Sequence, residues 1–201
     1  MYRLVKRAMD IGVSVLLLPL FLLLWAGVAT AIKLDDGGPV FFHAARIGRG
    51  GKRFDMLKFR SMKVNSENIL NEDGSTYNAK NDPRVTRTGR FLRETSLDEV
   101  PQILNVLAGD MSLIGPRASG WEALESYQDD EMDKMKVRPG ITGYTQAYFR
   151  NGLSVREKRI KDAWYANHVG FLLDMRILLR TVATVLRREN LYTNGPESQK
   201  N

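Results

Sequence analysis

Asp98 and Glu99 stand side by side in the run Thr95-Ser96-Leu97-Asp98-Glu99-Val100-Pro101-Gln102, at a predicted helix start. If Ser96 is the N-cap, Glu99 takes N3 and closes a capping box. If Asp98 is the N-cap, Pro101 falls in the first turn, where its missing N–H costs nothing. Either register sets two carboxylates at the positive end of a helix dipole, which keeps them ionised and favours a phosphate beside them. An isolated acid pair here more often only caps a helix. This pair has basic company: Arg84, Arg87, Arg90 and Arg93 recur every third position ahead of Asp98, and Gly115-Pro116-Arg117 and Arg138-Pro139-Gly140 place arginines on tight turns. Singly these are ordinary surface charges; jointly they suit a diphosphate clamp.

The elements that must position these residues read as α+β, mainly helical. Pro39-Val40-Phe41-Phe42 and Phe54 to Arg60 are predicted strands of a small β-hairpin turning at Gly48-Arg49-Gly50-Gly51. Residues Val64 to Asp82 are polar and read as a solvated insertion. Helical periodicity from Gly89 to Leu107 flanks the acids on both sides. In Phe171 to Arg188, Phe171, Met175, Leu178, Val182 and Val185 form an apolar stripe beside Arg176, Arg180 and Arg187, which fits either core packing or an interfacial helix on anionic lipid. Trp164, Tyr165 and His168 precede it at expected headgroup depth.

With 201 residues the chain fits one catalytic domain behind an anchor, and 30 Lys+Arg against 23 Asp+Glu favour an anionic partner. No cysteine is present, which excludes disulfides, thiol nucleophiles and Cys-ligated zinc. His43 and His168 lack metal-ligand spacing and read as surface or packing residues.

Ile11 to Ile32 run without a charge, about 33 Å as a straight helix, enough to enter or cross a bilayer. Ala29-Thr30-Ala31 resembles a signal-peptidase site, but the apolar run is longer than a secretory core, so retention is expected. Pro19 predicts a kink after Leu18, with Ser14 available to satisfy a freed carbonyl. Arg3, Lys6 and Arg7 precede the run and Arg46, Arg49, Lys52 and Arg53 follow it, so both flanks read as cytoplasmic. A re-entrant helical hairpin hinged at Leu18 and Pro19 reconciles that symmetry. The expected division is an anchor at 1–36, a catalytic domain at 37–190 and a polar tail at 191–201.

Lys58-Phe59-Arg60-Ser61-Met62, Ser96 to Gln102, Asn105 to Arg117 and Val137-Arg138-Pro139-Gly140-Ile141-Thr142-Gly143 together resemble the bacterial sugar transferase family, and within it the small monotopic phosphoglycosyl transferases. The resemblance extends from Tyr2 to about Arg188. It implies transfer of a sugar phosphate from a UDP-sugar to polyprenyl (undecaprenyl) phosphate with release of UMP, the first membrane step of glycoconjugate assembly for lipopolysaccharide, capsule or glycoprotein. It further implies ping-pong chemistry with Asp98 as nucleophile, a phosphosugar-aspartyl intermediate, and Mg²⁺ held by Asp98 and Glu99. Lys58, Arg60, Arg93, Arg117, Arg138, Gln146 and Arg150 match its substrate-binding positions. The implied location is the bacterial inner membrane with the active site on the cytoplasmic face. Homo-oligomers are compatible with this pattern, and the sugar is not legible.

Three positions depart from the family pattern: Leu18-Pro19 replaces Ser-Pro at the hinge, Ala118 replaces a second proline, and no glycine precedes Arg150. A competing class is a non-catalytic basic module on anionic lipid, which accounts for the charge but not for the acid pair. Nucleic-acid binding is disfavoured by the apolar anchor and the lack of a nucleic-acid motif. An aspartyl phosphatase of the haloacid-dehalogenase type is disfavoured because no Asp-x-Asp signature is present.

Overall fold

A computed structural model describes residues 2–67, 69, 77, 79, 81–149 and 152–186. Helix α1 (Tyr2–Asp35) is followed by a hairpin of β1 (Phe41–Ile47) and β2 (Arg53–Phe59). Then come α2 (Arg87–Glu94), α3 (Gln102–Ala108), β3 (Ser112–Ile114), β4 (Gly140–Thr142), α4 (Tyr144–Tyr148), α5 (Val155–Asn167) and α6 (Phe171–Leu186). The mainly helical reading and the hairpin hold, with β1 running on to Ile47. Arg187, most of the insertion between Glu67 and Asn81, and the 191–201 tail lie outside the described residues.

The helix α1 is assigned without a break across Pro19, so the expected hairpin turn is not seen. Ser14 is buried, but its hydroxyl makes no hydrogen bond, so it does not serve the backbone near Pro19 as expected. A stripe of Asp10, Ser14, Phe21, Val28 and Ile32 is buried at steps of four and seven, the spacing of a seam along one face. The rest of the apolar run is bare: Leu16 and Leu23 are 78% and 75% exposed, and only 17% of its most apolar stretch is buried. Such an exposed apolar face marks membrane association rather than a core helix.

Both ends of α1 are fastened to the same protein body. At the start, Tyr2 and Lys6 bond to Asp174 of α6 at 2.6 and 2.7 Å, Arg7 donates to Val106 O at 2.6 Å, and Leu113 N–H donates to Asp10 at 3.1 Å. At the end, Thr88 N–H donates to Asp35 at 2.8 Å, and the Arg60 guanidinium pairs with Asp36. Midway, Phe21 and Phe41 both stack on Phe59, which is buried with Leu92 and Ile103.

The register of the hairpin sets Phe42 opposite Lys58, Ala44 opposite Met56 and Arg46 opposite Phe54. Paired residues share a face, so Lys58 and Arg46 emerge on the same side. The parallel pairing of β3 with β4 draws the Gly115-Pro116-Arg117 and Arg138-Pro139-Gly140 turns together. That contact needs bare backbone, since a Cβ on Gly140 would lie 2.1 Å from Gly115 N.

In α6 the expected apolar stripe is not the buried one. Phe171, Leu178 and Val182 are exposed, whereas Asp174, Ile177 and Thr184 face inward. The inward face is held by polar bonds from Asp174 and Thr184, which hydropathy spacing cannot register. Phe171, Leu178 and Val182 of the apolar stripe are thereby left outside, as on an interfacial helix, while the side chain of Val185 lies outside the described residues.

Candidate active site

Asp98 and Glu99 occupy a single 3-10 turn, Leu97–Glu99, wedged between α2 and α3. Ser96 before it is left-handed (φ 58°) and makes no side-chain cap, and α3 starts behind Pro101, also without a side-chain cap. The predicted capping box is therefore not formed. The reason is electrostatic: Glu99 turns toward Lys58 on β2, Nζ to Oε1 at 2.7 Å, and toward Arg117 at 3.6 Å, instead of reaching back to the Ser96 backbone.

The register of the turn against the hairpin is fixed by Asn105. Its Oδ1 accepts from Leu57 N–H at 2.9 Å and its Nδ2 donates to Asp55 O at 2.8 Å, so one buried amide on α3 stands in for a missing neighbour strand of β2. That clamp holds the residue after Leu57, Lys58, against the residue pair that precedes α3. Asn105→Ala is expected to cost about 2–3 kcal/mol, because two backbone groups lose their partner together. Thermal denaturation, with Glu99→Gln as a reference for loss of the Lys58 contact alone, checks this.

The two acids have different electrostatics. Burial works against ionised Glu99, but Lys58 and Arg117 more than offset it and hold its pKa at about 2. Burial raises the pKa of Asp98 above the ordinary carboxylate value. Glu99 adds to the rise, while Lys58, Arg93 and Arg117 oppose it. Among the described residues no hydrogen bond or ion pair engages the Asp98 carboxylate. One acid is thus fixed through its Oε1, and its neighbour carries no bonded partner among the described residues while feeling the charges of the same three cations.

The candidate residues divide by position. Lys58, Arg93 and Arg117 converge on the acids. Arg93 also donates Nε–H to Ser61 Oγ at 3.2 Å, and Arg117 is largely exposed. Arg60 is buried elsewhere, binding Asp36, Pro39 O and Met62 O, and so ties the end of α1 to the hairpin. Arg138 donates to Gly109 O at 2.7 Å, and Gln146 donates to Ile141 O at 3.1 Å. Neither has a contact that joins it to the acids. Arg150 lies outside the described residues. His43 and His168 are exposed, and no group of three or more metal-binding side chains occurs among the described residues.

The site roles of two residues escaped the sequence reading. Asn105 was legible only as part of a motif, since its role depends on how α3 meets β2. Arg46 is half-buried, its Nε lacks a partner, and its charge faces Arg117, Glu122 and Glu99; burial, then Arg117, lowers its pKa. The two-residue alternation of the predicted hairpin, carried through to Arg46, held that signal.

Known proteins resemble the chain over most of its length. An undecaprenyl-phosphate galactose phosphotransferase of Salmonella typhimurium is 40% identical over 94% of this chain and 42% of its own length. The UDP-glucose:undecaprenyl-phosphate glucose-1-phosphate transferase of Escherichia coli is 42% identical over 90% of this chain and 40% of its own length. An uncharacterized sugar transferase of Bacillus subtilis, EpsL, is 38% identical over 92% of this chain and 89% of its own length. The chain thus spans 42% and 40% of the length of the first two relatives and 89% of the third. The model of one family, described as bacterial sugar transferase, matches residues 1–188, a span that includes α1, the acid pair and the arginine turns: the chain belongs to the bacterial sugar transferase family.

Proposed function

We propose that the protein transfers a sugar phosphate from a UDP-sugar to undecaprenyl phosphate and releases UMP. The observation that carries this reading is the division of labour between neighbours: Glu99 neutralised by Lys58 and Arg117, and Asp98 unengaged among the same cations. A carboxylate is a competent nucleophile toward phosphorus once cations offset its repulsion from the phosphate oxygens. An Asp98 oxygen forms a bond to the sugar-linked phosphorus, the bond to the bridging oxygen breaks, and UMP departs with the electron pair. An oxygen of the acceptor phosphate then attacks the same phosphorus, and Asp98 is released unchanged. Lys58, Arg93 and Arg117 hold phosphate oxygens through both steps.

Two adjacent carboxylates fit Mg²⁺, a hard cation that takes most of its ligands from water and phosphate. Asp98 and the Glu99 oxygen turned away from Lys58 would hold it, and when bound it neutralises charge on the diphosphate. The exposed faces of α1 and α6 support a seat on the inner membrane with the site at phosphate depth. The attachment of both ends of α1 to one body supports entry and exit on the same, cytoplasmic, face. Single cysteines at positions 2 and 36 are expected to resist a membrane-impermeant thiol reagent in intact spheroplasts; labelling of either one rejects that topology.

The test of the reaction is UMP release by the nanodisc-embedded protein from a panel of UDP-sugars with Mg²⁺. With one donor and no acceptor, a single equivalent of UMP and a phosphosugar mass increment on the Asp98 peptide are expected. Turnover then follows the addition of undecaprenyl phosphate. Steady acceptor-dependent turnover without any adduct would replace the two-step route by direct displacement.

A further inference from the structure

A second basic site lies apart from the acid pair. The first two turns of α1, the turn at Lys136 to Arg138, and Arg49 from the hairpin tip enclose a cavity of ≈ 50 Å³. By the same measure one water needs about 10–15 Å³, so the space suits a phosphate group. Asp10 is the only acid among its described lining residues.

The neighbouring acids leave the cations of this cavity in surplus. Lys6 is spent on Asp174 and Lys136 on Asp133, each at 2.7 Å. Among the described residues Arg7 donates only to the neutral carbonyls of Val106 and Leu107, and the Nε–H of Arg138 donates to that of Gly109. Arg3 and Arg49 are exposed, and no polar partner is seen for either among the described residues. Asp10 already accepts from Leu113 N–H, and Asp110 is the other carboxylate near Arg138. Burial, then the like charges of Arg7 and Arg49, lower the pKa of Arg138, as expected where guanidinium groups crowd without enough counter-charge.

The setting bears on which anion would bind there. Leu4 and Val5, on the same turns of α1 as the arginines, are 80% and 50% exposed, and Phe171 and Leu172 at the start of α6 are 49% and 71% exposed. Asp174 joins these two helix starts through Tyr2 and Lys6. Phosphate-sized space and surplus guanidinium charge thus lie beside two helix starts that carry bare apolar side chains.

We propose that this cavity binds a phosphoryl group, and that in the membrane its occupant is the phosphodiester headgroup of an anionic phospholipid. The headgroup bridges α1, the 136–138 turn and the hairpin tip, and fixes the depth and tilt of the catalytic body. This site does not depend on the transfer reaction, and its test reads lipid binding alone.

Native mass spectrometry of the full detergent-solubilised chain is expected to show one molecule of dioleoylphosphatidylglycerol retained in preference to dioleoylphosphatidylcholine. Arg49→Ala and Arg3→Ala, which remove side chains without polar partners among the described residues, are each expected to weaken that binding about fivefold. Arg53→Ala, an exposed arginine on β2 outside the cavity, is the matched control and is expected to leave it within about twofold. Displacement of the lipid by millimolar inorganic phosphate would identify the phosphoryl group alone as the ligand, with free anion as a second source. Equal losses in all three variants, or none in Arg49→Ala and Arg3→Ala with circular dichroism unchanged, would overturn the proposal in favour of diffuse surface attraction.

Discussion

Asp98→Asn is expected to abolish sugar-phosphate transfer, by at least about 10³-fold, while leaving a protein that melts at a higher temperature than the wild type. The loss follows from the proposed role: an amide cannot form the bond to phosphorus, and removal of a nucleophile is among the costliest single changes in an enzyme. The gain in stability follows from the raised pKa of Asp98. A carboxylate whose folded-state pKa lies above its unfolded value is under strain when ionised. It costs stability at neutral pH, and the cost fades as pH falls through the raised pKa. The melting advantage of the variant is therefore largest near neutrality and closes on acidification. Paired melting curves and UMP assays from pH 4 to 8 check both halves. A variant that loses activity and also loses stability would mean that Asp98 holds the fold together, which its lack of bonded partners argues against.

Glu99→Gln should move stability the other way. Its pKa is held at about 2, so its contribution is fully present above the ordinary carboxylate value of 4.5 and is lost as pH falls from there toward 2. Replacing it leaves Lys58 half-buried without its anion and releases Arg117. A cost of about 2 kcal/mol is expected, below the roughly 3–5 of a fully buried broken pair because the side chain is 22% exposed. Transfer is expected to fall about 10²–10³-fold, as for loss of one preorganised electrostatic group. The acid limb of the pH–rate profile supplies the discriminating readout. With the Glu99 charge gone, one cause of the raised Asp98 pKa disappears, so the limb shifts to lower pH. A limb left in place would separate Glu99 from the titration of Asp98.

The contrast between the neighbours explains how an acid pair in a basic protein acquires direction. Sequence places them equivalently, one residue apart in the same turn. The hairpin breaks the symmetry by giving the hydrogen bond of Lys58 to only one of them. Stability and reactivity are thereby assigned to different side chains, and the destabilised one is the one proposed to react.

Local chemistry made much of this legible in the residues alone. The acids between two helical stretches, the β-hairpin and the apolar N-terminal run each carry their own signature in spacing, because each depends on neighbours within a few positions. Arginines on glycine-proline turns were equally readable as a set. Which arginine serves which site was not. Arg117 and Arg138 lie on turns joined by β3 and β4, yet one guanidinium points toward Glu99 and the other packs at Gly109, beside the second basic cavity. Arg60 is taken up by Asp36, a partner 24 positions away. Asn105 acts on β2 across 48 positions, and Asp174 gathers Tyr2 and Lys6 across 172 and 168. Charge and hydrogen bonding at such separations are set by which elements the fold brings into contact. The sequence by itself determined the chemical repertoire and the local elements, and the tertiary structure decided the pairing, the identity of the free carboxylate and the faces left bare for the membrane.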